Sequence, residues 1–260
     1  MKSGDIVTRI EKRIPLSWAE SRDNPGLAVG DPGADVSRIA LALDAAPGVV
    51  EAAALAGCGM LVTHHPIIFR PMKSIVFSAP APRTVALAIQ RGVALYSAHT
   101  NWDSSPEGVN VSLARALELA DAAPLAAPAV RNGAWGMGAV GSFMAPIAIE
   151  ECMLLLRERW RLSICTGYGD AGRLVSRVAL GGGACGDMWP LAVEAGADLF
   201  ITSDVSYHHR NDALNMGLNL IVTDHGETER VSLPALAAII EEVSGLPVEI
   251  LDEPPLRRID

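Results

Sequence analysis

Short apolar segments alternate along this chain with longer segments in which apolar residues recur every three or four positions. The short segments at 39–44, 60–63 and 93–98 contain β-branched and small apolar residues and predict strands. The longer segment at 47–57 predicts a helix, since a proline stands in its first turn and a glycine closes it. Strands that alternate with helices in this way predict an α/β fold.

The same alternation continues through the rest of the chain. The further predicted strands are 138–143, 162–166, 175–180, 198–203, 219–223 and 248–251, and the further predicted helices are 82–91, 110–120, 146–159, 188–195, 208–216 and 228–243. Residues 122–132 are rich in alanine and proline and show little periodicity, so we expect a linker there. The linker would separate two α/β sections.

Composition narrows the class of protein. The 260 residues, half of them apolar, suffice for one large domain or two small ones with a packed core. The net charge of −9 opposes direct nucleic acid binding, because Lys and Arg do not cluster. Four cysteines without a C-x-x-C spacing indicate neither a disulfide scaffold nor a cysteine zinc site. With no apolar signal segment and no apolar run of ~20 residues, we expect a cytoplasmic protein without a membrane partner.

Histidine is scarce and is not scattered. All six histidines stand at or just after the carboxyl ends of predicted strands, namely His64, His65, His99, His208, His209 and His225. Ligands of open α/β sheets bind at these strand ends. We therefore expect the imidazoles to converge if the strand ends do.

The first histidine segments each have a metal-site interpretation and a purely structural one. Adjacent His64 and His65, followed by Pro66, could address two metal ions or could be polar residues of an exposed loop. His99 and Asp103 stand four residues apart. The carboxylate could bind a cation, orient an imidazole or cap the helix that follows.

The last histidine precedes the final predicted helix. If Glu229 lies in a first helical turn, its side chain points back toward His225, and both could bind a cation. A capping box would explain one acidic residue there but not His225. The spacing alone does not decide between Glu227 and Glu229 as the ligand.

A glycine-rich turn at 181–186 joins a predicted strand to a predicted helix. Its backbone N–H groups could bind an anion at the helix N-terminus, or the glycines could serve a tight connection. The turn lacks the lysine of a P-loop and the full spacing of a dinucleotide fingerprint, so a nucleotide motif is not supported.

Taken together, these segments resemble the NIF-three-like family, also called type-two GTP cyclohydrolase homologues. The resemblance covers nearly the whole chain, and the order and spacing of its motifs make it specific. It rests on residues 23–30 (similar to D-N-x-G-L-x-V-G), 43–47, 63–66, 99–103, 108–110, 181–184, 196–202, 207–208, 225 and 229. At 202–204 the chain has T-S-D where the family usually has T-G-E or T-G-D.

The resemblance implies two interlocked α/β domains with a pair of divalent metals in the cleft between them. The implied domains are 1–125 together with 226–260, and 126–225. The implied metal ligands, which include Glu229 rather than Glu227, are His64, His65, Asp103, His225 and Glu229. His99 and His208 match positions near the site, where they would contact substrate or transfer a proton. Family members often assemble as hexamers, so we expect a homohexamer.

The implied ligands, three imidazoles and two carboxylates, suit Zn²⁺, Fe²⁺, Mn²⁺, Co²⁺ or Ni²⁺ better than the all-oxygen sites of Mg²⁺ or Ca²⁺. A water held between two such cations is acidified and can act as hydroxide. The expected function is metal-dependent hydrolysis of a small heterocyclic or phosphorylated substrate, with GTP ring hydrolysis as the candidate that the family name supplies. The alternatives are a metal-handling protein that delivers metal to an acceptor protein, and a regulatory protein that acts through a protein partner without catalysis.

Overall fold

The computed structural model describes residues 1–130 and 132–251, and over this part the chain divides into two compact units. The first unit consists of Met1–Trp102 and of the chain from Leu233 onwards, and the second unit is Asp103–Ser232. The second unit is thus inserted within the sequence of the first. The predicted domain limits at 125 and 225 stay predictions, because compactness does not test where an independently stable domain ends. Arg131 of the predicted linker and residues 252–260 of the predicted first domain lie outside the described residues.

Mixed sheets and the helices that cover them make up both units. The strands are β1 (Gly26–Val29), β2 (Ile39–Ala42), β3 (Met60–Thr63), β4 (Ala94–Ser97), β5 (Ala120–Ala123), β6 (Ala139–Ala148), β7 (Cys165–Tyr168), β8 (Leu174–Leu180), β9 (Leu199–Thr202), β10 (Asn219–Thr223) and β11 (Val248–Ile250). The helices are α1 (Ser3–Arg13), α2 (Pro47–Leu55), α3 (Pro80–Arg91), α4 (Thr100–Asp103), α5 (Val109–Ala116), α6 (Ile149–Arg159), α7 (Trp189–Glu194), α8 (Tyr207–Asn215), α9 (His225–Arg230) and α10 (Leu233–Ser244). None of the described helices combines the length and the apolar character that crossing a membrane requires.

The sheet of the first unit brings three strand ends level with one another. Its strand order is β1-β4-β3-β2-β11, in which β1 is antiparallel to β4 and the other neighbours are parallel. Thr63 at the end of β3 pairs with Ala42 on one side and with Ser97 on the other. The residues that follow these strands therefore emerge at one edge of the sheet.

Helices α2 and α3 bury one face of this sheet. Val50 and Ala53 of α2 and Ala88 of α3 share a buried cluster with Leu61 and Leu95 of the sheet. Full burial of a leucine side chain contributes about 1.5–3 kcal/mol. The position of β3, and of the residues that follow it, is therefore fixed by packing.

The sheet of the second unit has the order β5-β6-β8-β9-β10-β7. Its central strands β8, β9 and β10 run parallel, and the outer strands are antiparallel to their neighbours. Leu180 pairs with Ile201, and Val222 pairs with Thr202. The three central strands thus end together, and the glycine-rich turn, Asp204 and His225 follow those ends.

Most of the predicted elements are confirmed, with β3 and β10 at the predicted bounds, but two predictions are wrong and α1, α4 and β1 were missed. The predicted helix 228–243 is two helices, α9 and α10. Pro234 in the first turn of α10 lacks the N–H that a continuous helix needs, and both the N–H and the hydroxyl of Ser232 bond to the Glu229 carbonyl. The predicted linker overlaps β5, an edge strand whose alanines carry no strand signal.

Candidate metal centre

Three imidazoles of the first unit gather at the carboxyl edge of its sheet. His64 and His65 follow β3, and their N–H groups bond to the carbonyls of Ala42 (3.3 Å) and Leu43 (3.0 Å), which extends the pairing with β2. His99 comes just after β4. The ring centroids of these histidines lie 5.0 to 5.6 Å apart. One ring nitrogen of each lies within 4.8 Å of the other two.

The two imidazoles after β3 are each held in one orientation. His64 Nδ1 lies 2.9 Å from the carbonyl oxygen of Ala98, and because a carbonyl can only accept, Nδ1 donates. His65 Nδ1 lies 2.9 Å from the carboxylate of Asp44. A proton on Nδ1 places the lone pair on Nε2, which is the usual state of a histidine that binds metal.

Asp23 holds His99 in the same way. Its carboxylate accepts hydrogen bonds from His99 Nδ1 (2.7 Å), from the N–H of Thr100 (3.0 Å) and from the Thr100 hydroxyl (2.5 Å). The Asp23 side chain is 2% exposed. Burial favours a higher pKa, but the hydrogen bonds from His99 and Thr100 outweigh it and hold the pKa of Asp23 at about 2. Asp23 is therefore ionised at neutral pH and fixes the His99 ring.

In the second unit, His225 and Glu229 lie one turn apart on α9. The Asp224 carboxylate accepts from the N–H of Glu227 (3.0 Å), and this cap starts the helix at His225. His225 Nε2 lies 3.0 Å from the Glu229 carboxylate, and Nδ1 lies 2.6 Å from that of Asp204. The hydrogen bond to Glu229 outweighs burial and, with the one to Asp204, raises the pKa of His225 to about 9. Without a cation, a protonated His225 therefore joins the two carboxylates.

The glycine-rich turn after β8 packs directly against Glu229. Gly183 has φ +67°, and a Cβ at this position would lie 2.3 Å from a Glu229 carboxylate oxygen. The N–H groups of Gly182 and Gly183 donate to the Asn110 side chain (3.1 Å) and to the Thr228 hydroxyl (3.0 Å). Because these two N–H groups are already bonded within the protein, they are not available to an anion, and at these positions the glycines serve a tight connection.

Asp103, another of the predicted ligands, ends α4 and is buried. Its backbone carbonyl accepts a hydrogen bond from the Asn110 amide nitrogen (3.1 Å). The oxygen of the same amide accepts the Gly182 N–H. Asn110 thus ties the backbone of Asp103 to the turn that packs on Glu229.

Glu227 has a structural role that distinguishes it from Glu229. Its carboxylate accepts hydrogen bonds from the N–H (2.8 Å) and the hydroxyl (2.5 Å) of Ser163, at the start of the segment leading into β7. Glu229, by contrast, is 4% exposed and faces His225. The geometry thus distinguishes Glu229 from Glu227, whereas their spacing from His225 in the sequence did not.

The remaining two histidines lie on α8. His208 is exposed, and its ring stands edge to face with that of Tyr207 at 5.4 Å. The backbone N–H of His209 donates to the Ser206 hydroxyl (3.2 Å), which caps this helix. His209 therefore takes part in forming the helix through its backbone.

Three carboxylates that orient the imidazoles were missed as functional residues in the sequence. Asp44 and Asp204 follow β2 and β9, the neighbours of two strands that end at histidines. Asp23 precedes β1, whose antiparallel pairing with β4 brings its beginning to the edge where β4 ends. These aspartates can be recognised because each lies at the same sheet edge as a histidine. That signal can be used only when the order of the strands in the sheet is known.

The donor chemistry of both units fits a divalent metal. Imidazoles whose Nδ1 is fixed by an oxygen acceptor, with a carboxylate nearby, are the ligands that Zn²⁺ and its neighbours in the first transition row prefer. The protein therefore carries histidine and glutamate groups able to bind a metal ion.

Comparison with known proteins gives consistent results over nearly the full chain. The family model for Duf34/NIF3 (NGG1p interacting factor 3) matches residues 1–254. A Clostridium perfringens protein named GTP cyclohydrolase 1 type 2 homolog is 32% identical over 248 residues, covering 94% of this chain and 91% of that protein. NIF3-like protein 1 of Drosophila melanogaster is 29% identical over 264 residues, covering 98% and 88%. The solved structure of a Bacillus cereus protein related to NIF3 covers 100% of this chain and 99% of its own at 21% identity, with a TM-score of 0.90, which confirms the fold.

Proposed function

Because the chain belongs to the DUF34/NIF3 family, we propose that it binds divalent metal ions and is a metal-dependent hydrolase of a small heterocyclic or phosphorylated substrate. One observation carries the proposal. In each of four histidines an oxygen acceptor holds Nδ1, and these histidines are His64, His65, His99 and His225. An oxygen acceptor on the second ring nitrogen is typical of histidines that bind metal.

The proposed ligands of two ions are His64, His65, Asp103, His225 and Glu229. Each unit supports its own part of this set. In the first unit the two adjacent imidazoles are oriented by Ala98 and Asp44. In the second, His225 and Glu229 face each other, and the glycine turn leaves room for the Glu229 carboxylate.

The chemistry proposed for this set is hydrolysis. A divalent cation held by imidazole and carboxylate supplies a Lewis acid that polarises oxygen and lowers the pKa of water. Asp44 and Asp204 keep the rings of His65 and His225 in position. His99 and His208 are proposed to contact the substrate or to transfer its proton. The name of the Clostridium relative makes GTP the first substrate to test.

The proposal is tested with pairs of matched variants. Elemental analysis of the purified protein should find two divalent ions per chain. Glu229→Gln should lose metal while Glu227→Gln keeps it, because only Glu229 faces His225. His225→Ala should likewise lose metal while His209→Ala does not.

Turnover is measured on the same variants with GTP and with a panel of heterocyclic and phosphorylated compounds. We expect activity that a chelator removes and added metal restores. A wild-type protein without divalent metal would contradict metal binding, and glutamate variants that keep metal equally well would contradict Glu229 as a ligand. A metal-loaded protein that leaves the whole panel unchanged would contradict the hydrolase.

Location, assembly and partners are proposed from family membership. We propose a cytoplasmic homohexamer that meets a small-molecule substrate or, if it handles metal, an acceptor protein. Light scattering after gel filtration should give about six times the chain mass of 27.4 kDa. A monomeric mass would contradict the hexamer and would leave the proposed metal site unaffected.

A further inference from the structure

Phe69 is an exposed aromatic residue beside the histidines of the first unit. It lies in the segment 66–73, which leads away from the two histidines after β3, and it is 50% exposed. Its ring centroid lies 6.1 Å from that of His99. We propose that Phe69 stacks on a planar heterocycle of the substrate and that Arg70 and Lys73 attract a phosphate group on it. This inference rests on the proposed function and narrows the substrate to a phosphorylated aromatic heterocycle.

Phe69 is exposed although its neighbours in the chain are packed. Ile67 and Ile68 before it and Met72 after it pack against the buried cluster of the first sheet. The side-chain amide of Asn24 donates a hydrogen bond to the Ile68 carbonyl (2.6 Å). The chain on both sides of the ring is therefore held in place. A ring that stays in water on a fixed segment forgoes the stabilisation of burial, as is expected of a surface that a ligand covers.

The contact with His99 leaves at least one face of the Phe69 ring open. The two ring planes are inclined by 85°, which is an edge-to-face arrangement. In such a pair one ring turns its edge to the other, so His99 covers at most one face of Phe69. A planar heterocycle can stack on the open face. Its reacting atoms would then lie beside the imidazole that is proposed to contact the substrate or to transfer its proton.

The segment that carries Phe69 is positively charged in an acidic protein. The chain has a net charge of −9, but no Asp or Glu occurs at positions 52–102. Two of the cations in that range, Arg70 and Lys73, follow Phe69 closely and are exposed. Arginine and lysine side chains donate strong hydrogen bonds to phosphate oxygens. A heterocycle that carries a phosphate is therefore attracted to this segment, although the protein as a whole is negative.

The test measures how the full chain binds guanosine, GTP and tripolyphosphate after a chelator has removed metal, so that no probe is turned over. Stacking tolerates different bases, so guanosine reports on it whichever heterocycle is the natural one. Phe69→Ala should weaken the binding of guanosine and GTP by about 5–100-fold and leave that of tripolyphosphate unchanged. The double variant Arg70→Gln/Lys73→Gln should weaken GTP and tripolyphosphate by about 2–10-fold at low salt and leave guanosine unchanged.

Phe77 supplies a matched control. It is 59% exposed and follows Phe69 by eight positions, but it lines a cleft between α2 and α3 together with Pro47 and Arg83. Phe77→Ala should bind all the probes as the wild type does. In a second measurement, the tryptophan fluorescence of Phe69→Trp should be quenched when guanosine binds, whereas that of Phe77→Trp should not change.

Several results would overturn the stacking contact. These are a wild type that does not bind guanosine, equal guanosine affinities in Phe69→Ala and Phe77→Ala, and a Phe69→Ala variant that loses tripolyphosphate as much as guanosine. If gel filtration shows that Phe69→Ala forms a smaller assembly while it keeps its affinity for guanosine, the ring belongs to a subunit interface and the inference is wrong. A double variant that binds GTP as the wild type does would overturn the phosphate contact.

These outcomes are distinct from those that test the proposed function. A protein that holds metal and hydrolyses other compounds but does not bind guanosine would leave the proposed function standing and overturn the inference. A protein that holds no metal but binds guanosine through Phe69 would overturn the proposed function and leave the stacking contact established.

Discussion

Replacement of Asp23 by asparagine removes a buried charge and keeps the size of the side chain. The carboxylate accepts hydrogen bonds from His99 and Thr100, and the side chain is 2% exposed. Asparagine retains one oxygen acceptor but not the charge. The variant should therefore be less stable than the wild type at neutral pH, with no change in the apolar core.

The pKa of Asp23 gives the size of the effect. Folding lowers this pKa from 3.8 to about 2, and one pKa unit corresponds to about 1.36 kcal/mol. The ionised carboxylate thus contributes about 2 kcal/mol to the free energy of unfolding at pH 7. Because the folded pKa is the lower one, the contribution is complete above the unfolded pKa and is lost as the pH falls through about 2. At pH 3 about half of it remains.

The assay is urea unfolding of the metal-stripped proteins at pH 7 and pH 3, followed by circular dichroism. We expect Asp23→Asn to be about 2 kcal/mol less stable than the wild type at pH 7 and about 1 kcal/mol less stable at pH 3. Asp212→Asn, at an exposed position on α8, is the control and should change stability by less than about 0.5 kcal/mol. Equal stability at pH 7, or a difference that does not shrink toward pH 3, would refute the reasoning.

Three other replacements probe the site and the core. Gly183→Ala should lower both the melting temperature and the metal affinity, because its Cβ would meet the Glu229 carboxylate. The control is Gly196→Ala: Gly196 has φ +70°, but a Cβ there would meet no atom within 4 Å, so calorimetry should show only the backbone strain of about 1–2 kcal/mol. Equal losses of stability in the two variants would contradict the close contact at Gly183. Asp44→Asn should weaken metal binding by about 10–100-fold, measured in competition with a coloured chelator, because the Asp44 carboxylate orients the His65 ring. An unchanged affinity would mean that this bond does not contribute to metal binding. Phe200→Ala, at a fully buried position of β9, should cost about 3–5 kcal/mol in urea unfolding, whereas a loss below about 1 kcal/mol would be inconsistent with the packing described.

The sequence predicted the elements whose signal is local. Strands β3 and β10 were predicted at their bounds because buried parallel strands are continuous apolar segments. The histidines could be placed at strand ends for the same reason. Strand β5 was missed because its four residues, alanines and an aspartate, form a strand only through pairing with β6.

The partners of the histidines depend on the tertiary structure. Asp23 stands 76 positions from His99, and only the antiparallel pairing of β1 with β4 brings them together. Spacing left Glu227 and Glu229 equivalent, and the bonds from Ser163 to Glu227 separate them. A single sequence therefore predicts the imidazoles but not the carboxylates that orient them.

The insertion of the second unit between β4 and α10 has a consequence during synthesis on the ribosome. Strand β2 lies between β3 and β11, and β11 follows it by about 200 residues. At about 5–20 residues per second, one edge of β2 waits roughly 10–40 s for its neighbour. Over that interval the nascent chain presents unpaired backbone groups to other chains. Chains stalled before residue 248 should therefore be prone to aggregate, although those longer than 232 residues already contain every residue of the second unit.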